Sequence, residues 1–191
     1  MESKGTIFIV EDQEETKIGV FADILKRNGF KIVIAENYED ADAKLGELVA
    51  SNELDGIILD FSFPYSTANS KRVDVVNGRE VPNGVMLLKK YLFKINNQRV
   101  PIVINSTAEK AYREEYLKGI SLEEMFVINT ETVSLTNPGN DVKSILELFA
   151  SRSERRNIEK KVQADRSWMT KGRAGTMDPK TGKFYYNRDG D

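Results

Sequence analysis

The stretch GIILDFSFP, residues 56–64, decides the fold because a buried run of apolar residues ends there in a single acid, Asp60. An apolar run without polar alternation is typical of a strand that is covered on both faces. Four other short runs share this character: TIFIV (6–10), KIVIA (31–35), PIVIN (101–105) and MFVIN (125–129). We therefore predict five strands in one parallel sheet with helices on both faces.

Helical patterns separate these strands. Apolar residues recur at intervals of three or four, which predicts inner helix faces. These faces are Ile18, Phe21, Ala22 and Leu25 in a helix over 14–27, Ala41, Leu45 and Leu48 in a helix capped by Asn37, and Val142, Ile145, Leu146 and Phe149 in a last helix that begins near Asp141. Gly29 ends the first helix, and two more helices cover 84–95 and about 108–118. This order predicts an α/β, flavodoxin-like (βα)5 doubly wound parallel sheet with strand order 2-1-3-4-5.

Two segments do not fit the regular alternation. Residues 65–83 are too long for a βα loop, and Asn77-Gly78 within them is a strong hairpin signal. We predict a hairpin inserted after the third strand, either as a tolerated insertion or as a lid or partner surface. The second segment is the tail: we divide the chain into a domain at 1–152 and a helical continuation with a basic, flexible tail at 153–191. The tail's DPKTGKFYYN (178–187) suggests a turn or hairpin.

The composition excludes several classes of function. The chain of 191 residues contains no Cys and no His, which excludes disulfides, thiol catalysis, Ser-His-Asp catalysis and histidine metal sites. Residues 151–191 carry a net charge of +5, and residues 1–150 carry −7, since the whole chain carries −2. No apolar run reaches 18 residues, so we expect a cytoplasmic protein that binds no membrane. We do not expect nucleic acid as a partner, because the basic excess of the tail is modest.

The ends of the predicted strands carry the candidate chemistry. The first strand ends in Glu11-Asp12, the third in Asp60, and the fourth in Asn105-Ser106-Thr107. In an open parallel sheet, ligands bind beyond the carboxyl ends of the strands. Three carboxylates in one pocket are unfavourable unless a cation neutralises them, and oxygen ligands suit Mg²⁺. A carboxylate nucleophile, a metal and a nearby hydroxyl are the groups that phosphoryl transfer to Asp60 requires.

With these features the chain resembles the response-regulator receiver domains of two-component signalling. The matching pieces are IFIVED (7–12), GIILDFSFP (56–64), PIVINST (101–107) and MFVIN (125–129). By that resemblance, Asp60 is the phosphoacceptor of a phosphorelay, and a sensor histidine kinase or a phosphotransfer protein is the donor. The resemblance implies that Mg²⁺ is bound by Glu11, Asp12, Asp60 and the backbone carbonyl of Ser62, that Ser106 or alternatively Thr107 is the switch hydroxyl, and that Phe126 is the switch aromatic.

The sequence departs from the family's pattern in two places. Asn129 stands where the family has an invariant Lys, and the hairpin insertion lengthens the connection after the acceptor strand. A neutral contact is worth about 1 kcal/mol and a charge-assisted one about 1.5–3 kcal/mol. We therefore expect weaker coupling between phosphorylation and conformation. Candidates to replace the missing charge are Lys110 and, in the insertion, Lys71, Arg72 and Arg79.

Three functions stay open on the sequence. The first is an atypical receiver that is phosphorylated on Asp60 and signals by binding a downstream protein, with a homodimer as one option. The second is a pseudo-receiver whose state depends on a partner and not on phosphate. The third is a Mg²⁺-dependent phosphatase, although such enzymes carry a second Asp where this chain has Ser62, so we expect no turnover enzyme. The nucleotide motifs G-x-x-x-x-G-K-[ST] and G-x-G-x-x-G are absent from the sequence.

Overall fold

The computed structural model describes residues 3–12, 17–66, 75–76, 79–105, 110–118, 120, 125–128, 140–171, 175–177 and 184–186. The elements follow in the order β1 (Gly5–Val10), α1 (Lys17–Arg27), β2 (Phe30–Ala35), α2 (Tyr38–Ala50), β3 (Leu54–Asp60), β4 (Val75–Val76), β5 (Arg79–Glu80), α3 (Asn83–Asn97), β6 (Ile102–Asn105), α4 (Lys110–Leu117), β7 (Met125–Ile128), α5 (Asn140–Lys171), β8 (Gly175–Met177) and β9 (Phe184–Tyr186). The chain divides into two compact units, residues 1–153 and 154–191.

The first unit contains a five-stranded sheet. Its strand order is β2-β1-β3-β6-β7, and every pair in it is parallel. This is the order 2-1-3-4-5 when only the five main strands are counted, so the predicted doubly wound, flavodoxin-like fold is confirmed. β1 lies between β2 and β3, and all six of its residues are buried. β2 lies at an edge of the sheet, where Lys31 and Ile34 are exposed although we predicted a buried run.

Two apolar cores cover the two faces of this sheet. One core joins Phe8, Ile57 and Ile102 to residues of α2 and α3. The other joins Ile7, Ile58 and Val103 to residues of α1 and α5. Adjacent residues of each strand thus point to opposite cores, which is the reason for the continuous apolar runs. Of the inner helix residues that we predicted, Leu146 is half-buried and the side chain of Ile18 is not described. The others are buried: Phe21, Ala22, Leu25, Ala41, Leu45, Leu48, Val142, Ile145 and Phe149.

The predicted helix-end signals are present. Gly29 lies two residues after the end of α1 and has φ +90, a left-handed conformation that favours glycine. Asn37 caps α2, and its side chain accepts a hydrogen bond from the backbone N–H of Asp40.

The insertion after β3 contains the predicted hairpin. β4 and β5 pair in antiparallel fashion with Val75 opposite Glu80 and Val76 opposite Arg79. The structure describes two residues of each paired strand. Asn77-Gly78 joins them in sequence and lies outside the described residues.

The second unit contains the distal part of α5 and a small hairpin. We predicted the end of the helix near residue 165, but it continues to Lys171, directly before Gly172 in the sequence. The physical reason is that the added residues 166–171, RSWMTK, include Arg, Met and Lys, which favour a helix, and contain neither Gly nor Pro. β8 pairs with β9, so the predicted tail hairpin is present. Among the helices described, none has an apolar stretch of the length and hydropathy needed to span a bilayer.

Candidate acidic phosphoacceptor site

Three carboxylates meet at the carboxyl edge of the sheet. Glu11 and Asp12 directly follow β1, and Asp60 is the last residue of β3. Because β1 and β3 are adjacent and Val10 pairs with Leu59, the three acids leave the sheet side by side. One carboxylate oxygen of each acid lies within 4.8 Å of those of the other two. The structure therefore brings together the three acids that the sequence proposed, and their metal role stays a prediction.

The environment of Asp60 disfavours its negative charge. The pKa of Asp60 is raised from 3.8 to about 6, chiefly because burial removes the carboxylate from water, and further because the carboxylate of Asp12 is close. Two backbone N–H groups lower the pKa of Asp60. The larger effect comes from Ser62, whose nitrogen lies 3.1 Å from Asp60 Oδ1. A cation in this cluster would relieve the unfavourable charge.

The residues at the site fit a hard divalent cation. The donors are three carboxylates of which Glu11 is largely buried and Asp12 is exposed, so the cluster is open to solvent on one side. Mg²⁺ prefers oxygen ligands, accepts one or a few carboxylates and retains several waters. A partly open cluster of carboxylates matches that preference.

The loop that follows Asp60 contains Ser62, the residue whose carbonyl we predicted as a further metal ligand. We call residues 61–66 the acceptor loop. Its carbonyls at Phe61, Phe63, Pro64 and Tyr65 each accept a hydrogen bond from another part of the first unit. The carbonyl of Ser62 accepts none from any residue that the structure describes. That carbonyl is the one we predicted as a metal ligand, and its role stays a prediction.

Gly84 allows α3 to approach the acceptor strand. A Cβ atom at Gly84 would fall 2.3 Å from the carbonyl oxygen of Asp60 and 3.0 Å from that of Phe61. Backbone atoms cannot yield as a flexible side chain can, so only glycine fits without displacing the strand end. The N–H of Gly84 also donates to Phe61 O at 3.3 Å.

The other predicted site residues are only partly described. Ser106, Thr107 and Asn129 lie outside the described residues, as do Lys71 and Arg72. Asn105, the last residue of β6, pairs with Asp60 in the sheet, and Ser106 and Thr107 follow it in the sequence. For three residues the structure describes the backbone alone, which places Phe126 in β7, Lys110 at the start of α4 and Arg79 in β5.

Sequence reasoning missed the residues that hold the acceptor loop. Asn83 donates from Nδ2 to Phe63 O at 2.6 Å, and the rings of Tyr38 and Tyr65 stack with their centroids 5.1 Å apart. A polar residue before a glycine at a helix start was the available signal for Asn83. No local pattern marked the two tyrosines, because their contact joins segments 27 residues apart in the sequence.

Comparison with solved structures identifies the fold. No protein-family model matches the chain, and no curated protein sequence does. Among solved structures, the phosphorylated cyanobacterial phytochrome response regulator RcpA is 21% identical with a TM-score of 0.54, over 77% of this chain and 94% of that one. A CheY-like response regulator receiver domain protein from Methanospirillum hungatei JF-1 is 16% identical with a TM-score of 0.52, over 79% and 98%.

A third match is a chain of the CheX–CheY–BeF3–Mg complex from Borrelia burgdorferi. It is 16% identical with a TM-score of 0.51, over 76% of this chain and 89% of that one. At these identities the likeness establishes the fold. The first unit has the fold of response-regulator receiver domains, with the acidic cluster at the carboxyl edge of its sheet.

Proposed function

We propose that the protein is an atypical response-regulator receiver that accepts a phosphoryl group on Asp60 and signals by binding another protein. The observation that carries the proposal is the cluster of Glu11, Asp12 and Asp60 oxygens within 4.8 Å of one another on this fold. By the resemblance to receiver domains, the donor is a sensor histidine kinase or a phosphotransfer protein; this sequence contains no His that could serve as one. The phosphorylated RcpA and the BeF3–Mg complex among the matched structures support this reading.

The residues of the site have different roles in phosphoryl transfer. A carboxylate oxygen of Asp60 attacks phosphorus, the bond between phosphorus and the donor's nitrogen breaks, and an acyl phosphate forms on Asp60. The N–H of Ser62, 3.1 Å from Asp60 Oδ1, orients the nucleophile. A pKa of about 6 leaves Asp60 mostly ionised at neutral pH. When bound by Glu11, Asp12, Asp60 and the carbonyl of Ser62, Mg²⁺ supplies positive charge that offsets the charge on the transferring oxygens.

Binding of beryllofluoride tests the proposal without a cognate kinase. This ion mimics the phosphoryl group of an aspartyl phosphate. We expect a bound ¹⁹F NMR signal when Mg²⁺ and beryllofluoride are added together, and no bound signal without Mg²⁺ or with Asp60→Ala. The proposal is wrong if the wild-type protein gives no bound signal under conditions in which a standard receiver does.

A pseudo-receiver is the second candidate, and Asn129 favours it. The missing Lys removes the charge that usually contacts the phosphoryl group. A pseudo-receiver predicts that a folded Asp60→Ala variant retains its biological output in cells, whereas our first proposal predicts loss of that output. Neither candidate requires turnover of an external substrate. We expect no hydrolysis of a generic phosphomonoester, because Ser62 stands where phosphatases of this chemistry carry a second Asp.

A further inference from the structure

The acceptor loop is held from two sides, by α3 and by α2. Its first half contains Ser62, whose backbone carbonyl we assign to the metal, and its second half runs to the inserted hairpin. We propose that Asn83 and Tyr65 are positioning residues, which hold this loop so that the Ser62 carbonyl is in place before Mg²⁺ binds. The inference rests on the proposed function, because it concerns the same metal site.

On the α3 side, the contact is made by Asn83. Its Nδ2 donates to the carbonyl oxygen of Phe63, the residue directly after Ser62, at 2.6 Å. A short polar side chain commonly caps a helix from the N-cap position, and Asn83 lies one position later, at the first residue of α3. Here the N-cap is Pro82 and no side chain caps the helix. The side-chain amide of Asn83 thus contacts the acceptor loop and does not cap its own helix.

On the α2 side, the first N–H groups of the helix hold the loop. The N–H of Tyr38 donates to Pro64 O at 3.0 Å, and the N–H of Glu39 donates to Tyr65 O at 3.1 Å. These donors have no partner within a helix, so the loop satisfies them. The rings of Tyr38 and Tyr65 then stack at an interplanar angle of 14°. Backbone and side-chain contacts together fix the end of the loop where the insertion leaves.

These contacts leave Ser62 between fixed points. Phe61 and Phe63 on either side of it are buried, and both belong to the core that α2 and α3 share. Ser62 itself is exposed, and its N–H is held by Asp60. A backbone carbonyl that is already in position loses less conformational freedom when it binds a metal ion. Removal of a group that orients a metal ligand typically weakens metal affinity about 10- to 100-fold.

Isothermal titration of Mg²⁺ into the phosphate-free protein measures this effect directly. Asn83→Leu keeps the side-chain volume but removes the donor, and Asn97→Leu makes the same change at an exposed position of the same helix. Tyr65→Leu removes the stacked ring, and Tyr65→Phe retains it. Phe93→Leu is the matched control, since Phe93 is 77% exposed and the change removes an aromatic ring elsewhere.

We expect Asn83→Leu and Tyr65→Leu each to raise the Kd for Mg²⁺ by about tenfold. Tyr65→Phe, Asn97→Leu and Phe93→Leu should keep the wild-type Kd. If Tyr65→Leu does not fold, Tyr38→Leu removes the same stack from α2. Urea unfolding in EDTA is measured in parallel, because a merely structural role would lower stability and leave the affinity for Mg²⁺ unchanged.

Two failures are distinguishable. If the wild-type protein binds Mg²⁺, and Asn83→Leu and the loss of the tyrosine stack both leave its Kd unchanged, the positioning inference is overturned and the proposed function stands. If the wild-type protein does not bind Mg²⁺, or if Asp60→Ala binds it equally well, the proposed function is overturned together with the inference.

Discussion

Replacement of Asp60 by Asn should stabilise the metal-free protein at neutral pH. Asp60 is partly buried beside the carboxylates of Asp12 and Glu11, and its pKa is raised from 3.8 to about 6. In the folded protein the carboxyl group of Asp60 therefore keeps its proton at a pH at which the unfolded chain has released it. Stability falls as the pH rises from about 4 to about 6, and the full loss is present at pH 7 and above. Asn has the shape of the protonated acid and carries no charge, so it avoids this loss.

The size of the effect follows from the shift in pKa. A difference of about two pKa units corresponds to about 3 kcal/mol at most. Asp60 is partly exposed, and solvent screening reduces that value. We expect Asp60→Asn to raise the free energy of unfolding by about 1–2 kcal/mol at pH 7.5. The gain at pH 4.5 should be about a third as large, since the folded wild-type protein is then largely protonated at this position.

Urea unfolding in EDTA, followed by circular dichroism at both pH values, measures the difference. Asp23→Asn is a suitable control, because it removes one negative charge from an exposed position on α1. Addition of Mg²⁺ should then stabilise the wild-type protein by RT ln(1 + [Mg²⁺]/Kd) and stabilise Asp60→Asn much less. An Asp60→Asn variant that is no more stable than wild type at pH 7.5 in EDTA would refute the electrostatic reasoning.

Substitutions at three other positions test the packing and helix capping of the first unit. Gly84→Ala should lower stability by about 1–3 kcal/mol and weaken Mg²⁺ binding, because its Cβ would fall 2.3 Å from Asp60 O; an unchanged urea midpoint would contradict the close approach. Asn37→Ala should cost about 1 kcal/mol by removing the cap on the Asp40 N–H, and Asn37→Asp should keep most of that stability. Phe149→Ala should cost about 3–5 kcal/mol, since its ring is fully buried, and a loss below 1 kcal/mol on thermal or urea unfolding would argue against this packing of α5.

The fold was predictable because the main strands are apolar without alternation. That pattern indicates burial on both faces, and β1 and β3 follow it closely. It overstated the burial of β2, where an edge position leaves Ile34 at 39% exposure. It also did not locate the end of α5, because the amphipathic signal fades after Val162 while helix-favouring residues continue to Lys171.

The acids of the site were predictable for a topological reason. Glu11, Asp12 and Asp60 follow strands that must end at one edge of a parallel sheet, so their proximity follows from the strand order. The residues that hold the acceptor loop were not predictable in this way. Asn83 contacts Phe63, which lies 20 residues earlier in the sequence, and no local sequence pattern indicates a contact across the insertion.

Phosphorylation of Asp60 by a small-molecule donor tests the central claim most directly. The protein is incubated with Mg²⁺ and acetyl phosphate, and its intact mass and its peptides are measured by mass spectrometry. We predict the gain of one phosphoryl group on Asp60, dependent on Mg²⁺ and absent from Asp60→Asn. The account would be contradicted if the wild-type protein gained no phosphoryl group under conditions that phosphorylate a standard receiver, or if Asp60→Asn gained it to the same extent.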